Sequence, residues 1–202
     1  MRAVNHRVVA VVSLCLGLCT CALAQGVPEA PAIAAPLTRP ALVAQDTVNA
    51  AHTGWMMTST ALVLLMTLPG IALFYAGMVR KKNVLNTMAS VVAIAALVSL
   101  LWFAAGYSLA FTPGSAWLGG FDRMGFTGLD FQLAQGRLAV SHVAPHIPES
   151  VYAMFQLTFA IITAALLVGA LVERMRFSAM LIFVGLWSLL VYAPVAHWVW
   201  EP

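Results

Sequence analysis

Charge is what this sequence has least of. Only 8% of its 202 residues are Asp, Glu, Lys or Arg, against 62% hydrophobic. A soluble domain carries roughly 25% charged residues, so an ordinary water-facing surface is excluded. Cysteine is missing after residue 21, since Cys15, Cys19 and Cys21 all fall in the first apolar stretch. That leaves no disulfide framework and no cysteine-based zinc spacing to read. The ten basic residues form no long run and accompany no nucleic-acid motif, so the net charge of +3 points to no nucleic-acid partner. The apolar runs hold no carboxylate pair, no activated nucleophile and no metal-ligand cluster. No catalytic residue, metal or cofactor is assigned, and the chain is not expected to be an enzyme.

The N-terminus has the layout of a secretory signal peptide over residues 1–24. Arg2, His6 and Arg7 begin it, Val8 to Leu18 form a short apolar core, and Ala22-Leu23-Ala24 is a small-x-small cleavage signal. An uncleaved anchor helix is the alternative. Residues 25–45 carry Pro28, Pro31, Pro36 and Pro40 among alanines. Proline at that density disfavours helix and predicts an extended, solvated, extracytoplasmic spacer.

Four later segments meet the roughly 20 apolar residues that a membrane-crossing helix needs. They are about 55–79, 84–111, 151–172 and 177–200. No period-2 alternation runs through them, which excludes a β-barrel. The predicted class is therefore an all-α integral membrane protein, a polytopic helix bundle in the lipid bilayer. Arg80-Lys81-Lys82 joins the first two segments, and Arg174 and Arg176 join the last two. Short positive loops stay inside, so these loops are expected to be cytoplasmic. The N-terminus and the loop from Thr112 to Ser150 then lie outside the cell inner membrane. Small residues at Ala72 and Ala76, Ala160 and Ala164, and Ala165 and Gly169 predict close helix packing. Pro69 inside the first segment predicts a kink, with a broken, site-forming helix as the alternative.

Several stretches closely resemble the ammonium transporter family (Amt/Mep/Rh). The first span carries Pro69-Gly-Ile-Ala-Leu-Phe-Tyr-Ala-Gly77 and the second ends in Trp102-Phe-Ala-Ala-Gly-Tyr107. The third holds Phe155-Gln-Leu-Thr-Phe159 and leads to Glu173-Arg-Met-Arg-Phe-Ser-Ala179; the fourth closes with Tyr192-Ala-Pro-Val-Ala-His-Trp-Val-Trp200. The resemblance covers residues of about 46–200, in order across all four spans. It implies a fold of eleven transmembrane helices, ten of them in two inverted five-helix halves, with a pore in each subunit of a homotrimer. The pathway would lie between the halves.

Ammonium is a small cation with four N–H donors, so a recruitment site wants aromatic faces and an oxygen acceptor. A cation over an aromatic ring gains roughly 0.5–2 kcal/mol. Phe155 and Phe159 are four residues apart and share one helix face. Packing and interfacial anchoring are the ordinary roles of such rings. The resemblance assigns Phe155 and Trp200 to the outer aromatic site that binds ammonium or methylammonium, and Phe159 to the gate. It also makes the Arg80–Asn83 and Glu173–Arg176 loops the surface for a PII-type nitrogen regulatory protein. His197 is expected to be an interfacial or hydrogen-bonded structural residue.

The resemblance places the pore's twin histidines on later helices, whereas His142 and His146 fall in the outer loop beside Pro145 and Pro148. Glu201 stands where the family pattern turns glycine-rich and is expected to mark the end of the match. The reading is a partial transporter domain, over residues 46–202, that does not conduct ammonium alone. The alternative is a non-conducting membrane subunit that associates with full-length transporters and modulates them.

Overall fold

The computed structural model describes residues 37–201. The expected signal peptide over 1–24, with the three cysteines, most of the expected spacer and Pro202 lie outside the described residues.

Four long helices make up the described body: α1 over Ala50–Met78, α2 over Lys81–Phe111, α3 over Glu149–Leu171 and α4 over Phe177–Trp200. The shortest has 23 residues, which at about 1.5 Å each exceeds the roughly 30 Å hydrocarbon layer. The helices match the four predicted spans, with earlier starts where capping chemistry allows. Asn49 caps α1 by accepting from the His52 backbone N–H at 3.0 Å. α3 begins directly after Pro148, with Glu149 in its first turn, where the helix dipole favours an acid.

Hydroxyls inside the apolar helices return to their own backbones. Thr67 donates to the Val63 carbonyl at 3.1 Å, Thr87 to Asn83 at 2.9 Å and Ser90 to Asn86 at 2.7 Å. A hydroxyl without water to bond is satisfied at least cost by the carbonyl one turn back.

Pro69 does not break α1. The chain passes through one π turn over Met66–Ile71 and continues as helix, the modest distortion expected where a proline removes a backbone donor. Two further π turns, over Trp102–Gly106 in α2 and Ser188–Tyr192 in α4, have no proline within them.

α3 packs against both α1 and α2, and α2 also packs on α4. Ala72, Ala160, Ala164 and Ala165 are buried at these contacts. Gly169 lets α3 approach α1 closely: a Cβ there would lie 2.5 Å from the Tyr75 ring. Tyr75 uses this proximity to donate to the Leu166 carbonyl at 3.0 Å. Large apolar side chains on the opposite face of α1, such as Trp55, Leu65 and Phe74, remain exposed.

A small antiparallel sheet covers one end of this bundle, an addition to the predicted all-helical architecture. It comprises β1 (Ala41–Ala44), β2 (Phe131–Gln132), β3 (Arg137–Ser141) and β4 (Ala144–Pro148), with β3 paired to each of the others. Ala41 faces Val140 and Ala44 faces Arg137. The last residues of the predicted spacer are thus not a solvated extension. They form a strand, because β3 offers their backbone hydrogen-bonding groups partners. Val140 is wholly buried beneath the sheet.

Candidate functional site

The sheet end of α3 presents Phe155 and Phe159 one turn apart. Their rings meet edge to face with centroids 5.0 Å apart, a favoured geometry for two aromatic quadrupoles. Both are half-buried. One turn further, Thr163 continues the same strip and donates to the Phe159 carbonyl at 2.7 Å. Beside them Gln156 donates to the Tyr152 hydroxyl at 3.2 Å, while its own Oε1 is buried without a partner among the described residues.

Trp200 enters from the end of α4. It stacks on Phe111 with centroids 6.1 Å apart and planes at 19°, and it remains 41% exposed. Trp200 and Thr163 line one cavity of about 260 Å3, together with Trp187 and Tyr192. Phe155 and Phe159 therefore contact each other directly, whereas Trp200 joins the site through this cavity and through Phe111.

Behind the strip lies an aromatic cluster that holds the sheet ends of α2, α3 and α4 together. The Trp102 indole N–H donates to the Ala153 carbonyl at 3.1 Å. Phe111 contacts Tyr107, Trp102 and Tyr152 as well as Trp200. Phe111 and Tyr107 are fully buried.

Two buried carboxylates at this end have partners that no sequence pattern marks. Glu149 is wholly buried and receives Arg123 Nε on Oε1 and Nη2 on Oε2, both at 3.0 Å. Tyr107 donates to the same carboxylate at 3.1 Å. Gly128 makes room for the guanidinium; its φ is +77°, and a Cβ there would run into Arg123 Nη1. An acid opening a helix is a recognisable sequence signal, but its arginine partner 26 residues earlier is not. The second carboxylate is that of Glu201, whose Oε1 is hydrogen-bonded to His142 Nε2 at 2.7 Å. Nearby, His197 sets Nδ1 against the Ala110 carbonyl at 3.2 Å and Nε2 against the Ser115 carbonyl at 3.0 Å. The ring is hydrogen-bonded and buried, in line with its expected structural role. No group of three metal-ligating side chains gathers among the described residues.

At the opposite end the two basic loops meet. Glu173 Oε1 accepts from Asn83 Nδ2 at 2.6 Å and from the Arg80 backbone N–H at 3.3 Å. The Asn83 hydrogen bond first, then that of Arg80, lowers the Glu173 carboxyl below its ordinary value. Glu173 adopts φ of +67°, a left-handed conformation uncommon for residues other than glycine.

The profile described as the Ammonium Transporter Family matches residues 54–202. The match runs through Glu201, so the glutamate does not end it as expected. The chain is 47% identical over 148 residues to the ammonium transporter of Bacillus subtilis, covering 73% of this chain and 35% of that protein. It is 43% identical over 161 residues to the ammonium transporter of Aquifex aeolicus, covering 79% and 36%. Among solved structures, Candida albicans Mep2 superposes with a TM-score of 0.66 at 31% identity, covering 78% of this chain and 33% of that one. The chain thus spans about a third of the length of the relatives it matches.

Proposed function

Because the chain belongs to the ammonium transporter family, and is a multi-pass membrane protein, we propose that it contributes the outer recruitment face of an ammonium pathway. Phe155 and Trp200 meet the cation there and Phe159 gates its entry. The observation that carries this reading is the edge-to-face pair of Phe155 and Phe159, 5.0 Å apart on α3, continued by Thr163 into the cavity that Trp200 lines. Aromatic faces attract a cation that has lost its water, and a carbonyl or hydroxyl oxygen accepts its N–H groups.

On this reading the sheet end faces outward from the cell inner membrane, with the N-terminus on the same side. The charge of the Arg80–Lys82 and Arg174–Arg176 loops supports that orientation. The joined loops form one surface, through Glu173 and Asn83, where a PII-type regulator would dock. The exposed face of α1 offers an apolar surface for the homotrimer. No chemical conversion of the substrate is involved.

Uptake of methylammonium by transporter-deficient cells tests the proposal. We expect none with this chain alone and uptake when it is co-expressed with the remaining helices of a relative. Loss of that uptake on replacing Phe155 ties it to this face. Pull-down of a full-length transporter without restored uptake by the paired segments supports the modulatory reading instead.

A further inference from the structure

A cavity of about 600 Å3 opens at the sheet end beside α4, lined in part by Ser115, His142, His197, Trp198 and Glu201. Among the described residues Glu201 is its one acid, and no lysine or arginine lines it. The side chains of His142 and Glu201 are each only 6% exposed. His142 Nε2 occupies one carboxylate oxygen at 2.7 Å. The other, Glu201 Oε2, is buried with no partner among the described residues, as is His142 Nδ1. A carboxylate oxygen shut away from donors is destabilising, so Glu201 Oε2 is short of a donor.

The lining decides which ligand supplies it. Both nitrogens of His197 already face carbonyl oxygens, and one nitrogen of His142 faces Glu201. A bound transition metal needs three or four converging ligands, and no such group gathers among the described residues. An anion would face the carboxylate. A small cation bearing N–H groups fits: it neutralises Glu201, donates to Oε2, and lies in a cavity that Trp198 helps to line.

We propose that the His142–Glu201 cavity binds a small monocation with N–H donors, ammonium or a primary alkylammonium, separately from the Phe155–Phe159 face. The site rests on the pair's geometry and does not depend on transport. Its acid belongs to α4's exit and its imidazole to the segment joining β3 to β4, so an occupied site also fastens the sheet to the bundle.

The test uses the full chain, purified into nanodiscs and titrated with methylammonium chloride at constant ionic strength. Trp198 and Trp200 stand close to Glu201 in sequence, so tryptophan fluorescence reports occupancy. A saturable change is expected, with its midpoint weakened roughly tenfold or more in Glu201→Gln, the effect of losing one charged hydrogen bond. His142→Ala weakens it in the same direction, and Glu201→Asp retains part of the affinity. Tetramethylammonium, which has no N–H, gives no saturable change. Phe155→Leu leaves the Glu201-dependent change in place. Parental binding by Glu201→Gln of native helical content overturns the inference, as does an equal response to tetramethylammonium or sodium. If Glu201→Gln does not fold, parental binding by His142→Ala overturns it equally. A response lost in Phe155→Leu but kept in Glu201→Gln places the cation on the aromatic face, which removes this site and leaves the proposed function standing.

Discussion

Arg123 grips Glu149 with two hydrogen bonds of 3.0 Å, pairing a loop guanidinium with a carboxylate that has no exposure at all. Tyr107 adds a third bond from α2. One buried acid thus ties the loop, the end of α2 and the start of α3 into a single joint. Such a joint is strongly coupled, because each charge depends on the other for its lost hydration.

Glu149→Ala is expected to destabilise the protein by about 3–5 kcal/mol, since it leaves a largely buried guanidinium without its partner. Tyr107→Phe removes a single bond to a charged group and should cost about 1.5–3 kcal/mol. Denaturant unfolding in mixed micelles measures both. The double variant Arg123→Met with Glu149→Leu should lose less than the two single changes added together; additive losses would show that the pair is not coupled.

Gly169→Ala sets a methyl group 2.5 Å from the Tyr75 ring. The ring is held by its bond to Leu166, so relief requires α1 and α3 to separate. A cost of about 1–3 kcal/mol is expected for this overpacking. Gly77→Ala is the control, because nothing lies within 4 Å of a Cβ at that position. Equal stability of the two variants would contradict the close helix contact.

The Glu173 carboxyl is held below its ordinary value mainly by Asn83. A lowered value in the folded state means that the ionised form stabilises the fold. The contribution is complete above the ordinary glutamate range and is lost as pH falls through the lowered value. The melting temperature of the parent should therefore exceed that of Glu173→Gln at neutral pH, and the gap should close in acid. Glu173 is exposed, so the gap is small. A gap that persists in strong acid would mean that charge is not its source.

In the paired-segment uptake assay, Phe155→Ala should raise the methylammonium concentration for half-maximal uptake by about 2- to 30-fold, the range that one cation–π contact supplies. Trp200→Ala should act in the same direction. Uptake that keeps its parental concentration dependence in both variants would remove these rings from the recruitment site.

The helices were readable because their cause is local. Twenty or more apolar residues in a row leave the backbone no polar partner but itself, and the four runs became α1 to α4 with ends shifted by a few residues. Asn49 and Glu149 account for two of those shifts, and both are helix-start residues by type. Phe155 and Phe159 share a face for the same reason, as residues one turn apart on one helix. The π turn at Trp102–Gly106 was not readable, since no proline marks it, whereas the one at Ser188–Tyr192 lies just before Pro194, which lacks the N–H its carbonyls would meet.

By itself, then, the sequence determined that this chain is a membrane helix bundle, because hydropathy and helical spacing act between neighbours along the chain, and its motif stretches carried the resemblance to the ammonium transporters. Only the tertiary structure decided that Arg123 pairs with Glu149, His142 with Glu201, and Asn83 with Glu173, across separations of 26, 59 and 90 residues. Charges so few and so far apart show no pattern in one dimension. Their partners are fixed by which helix ends and loops the packing brings together.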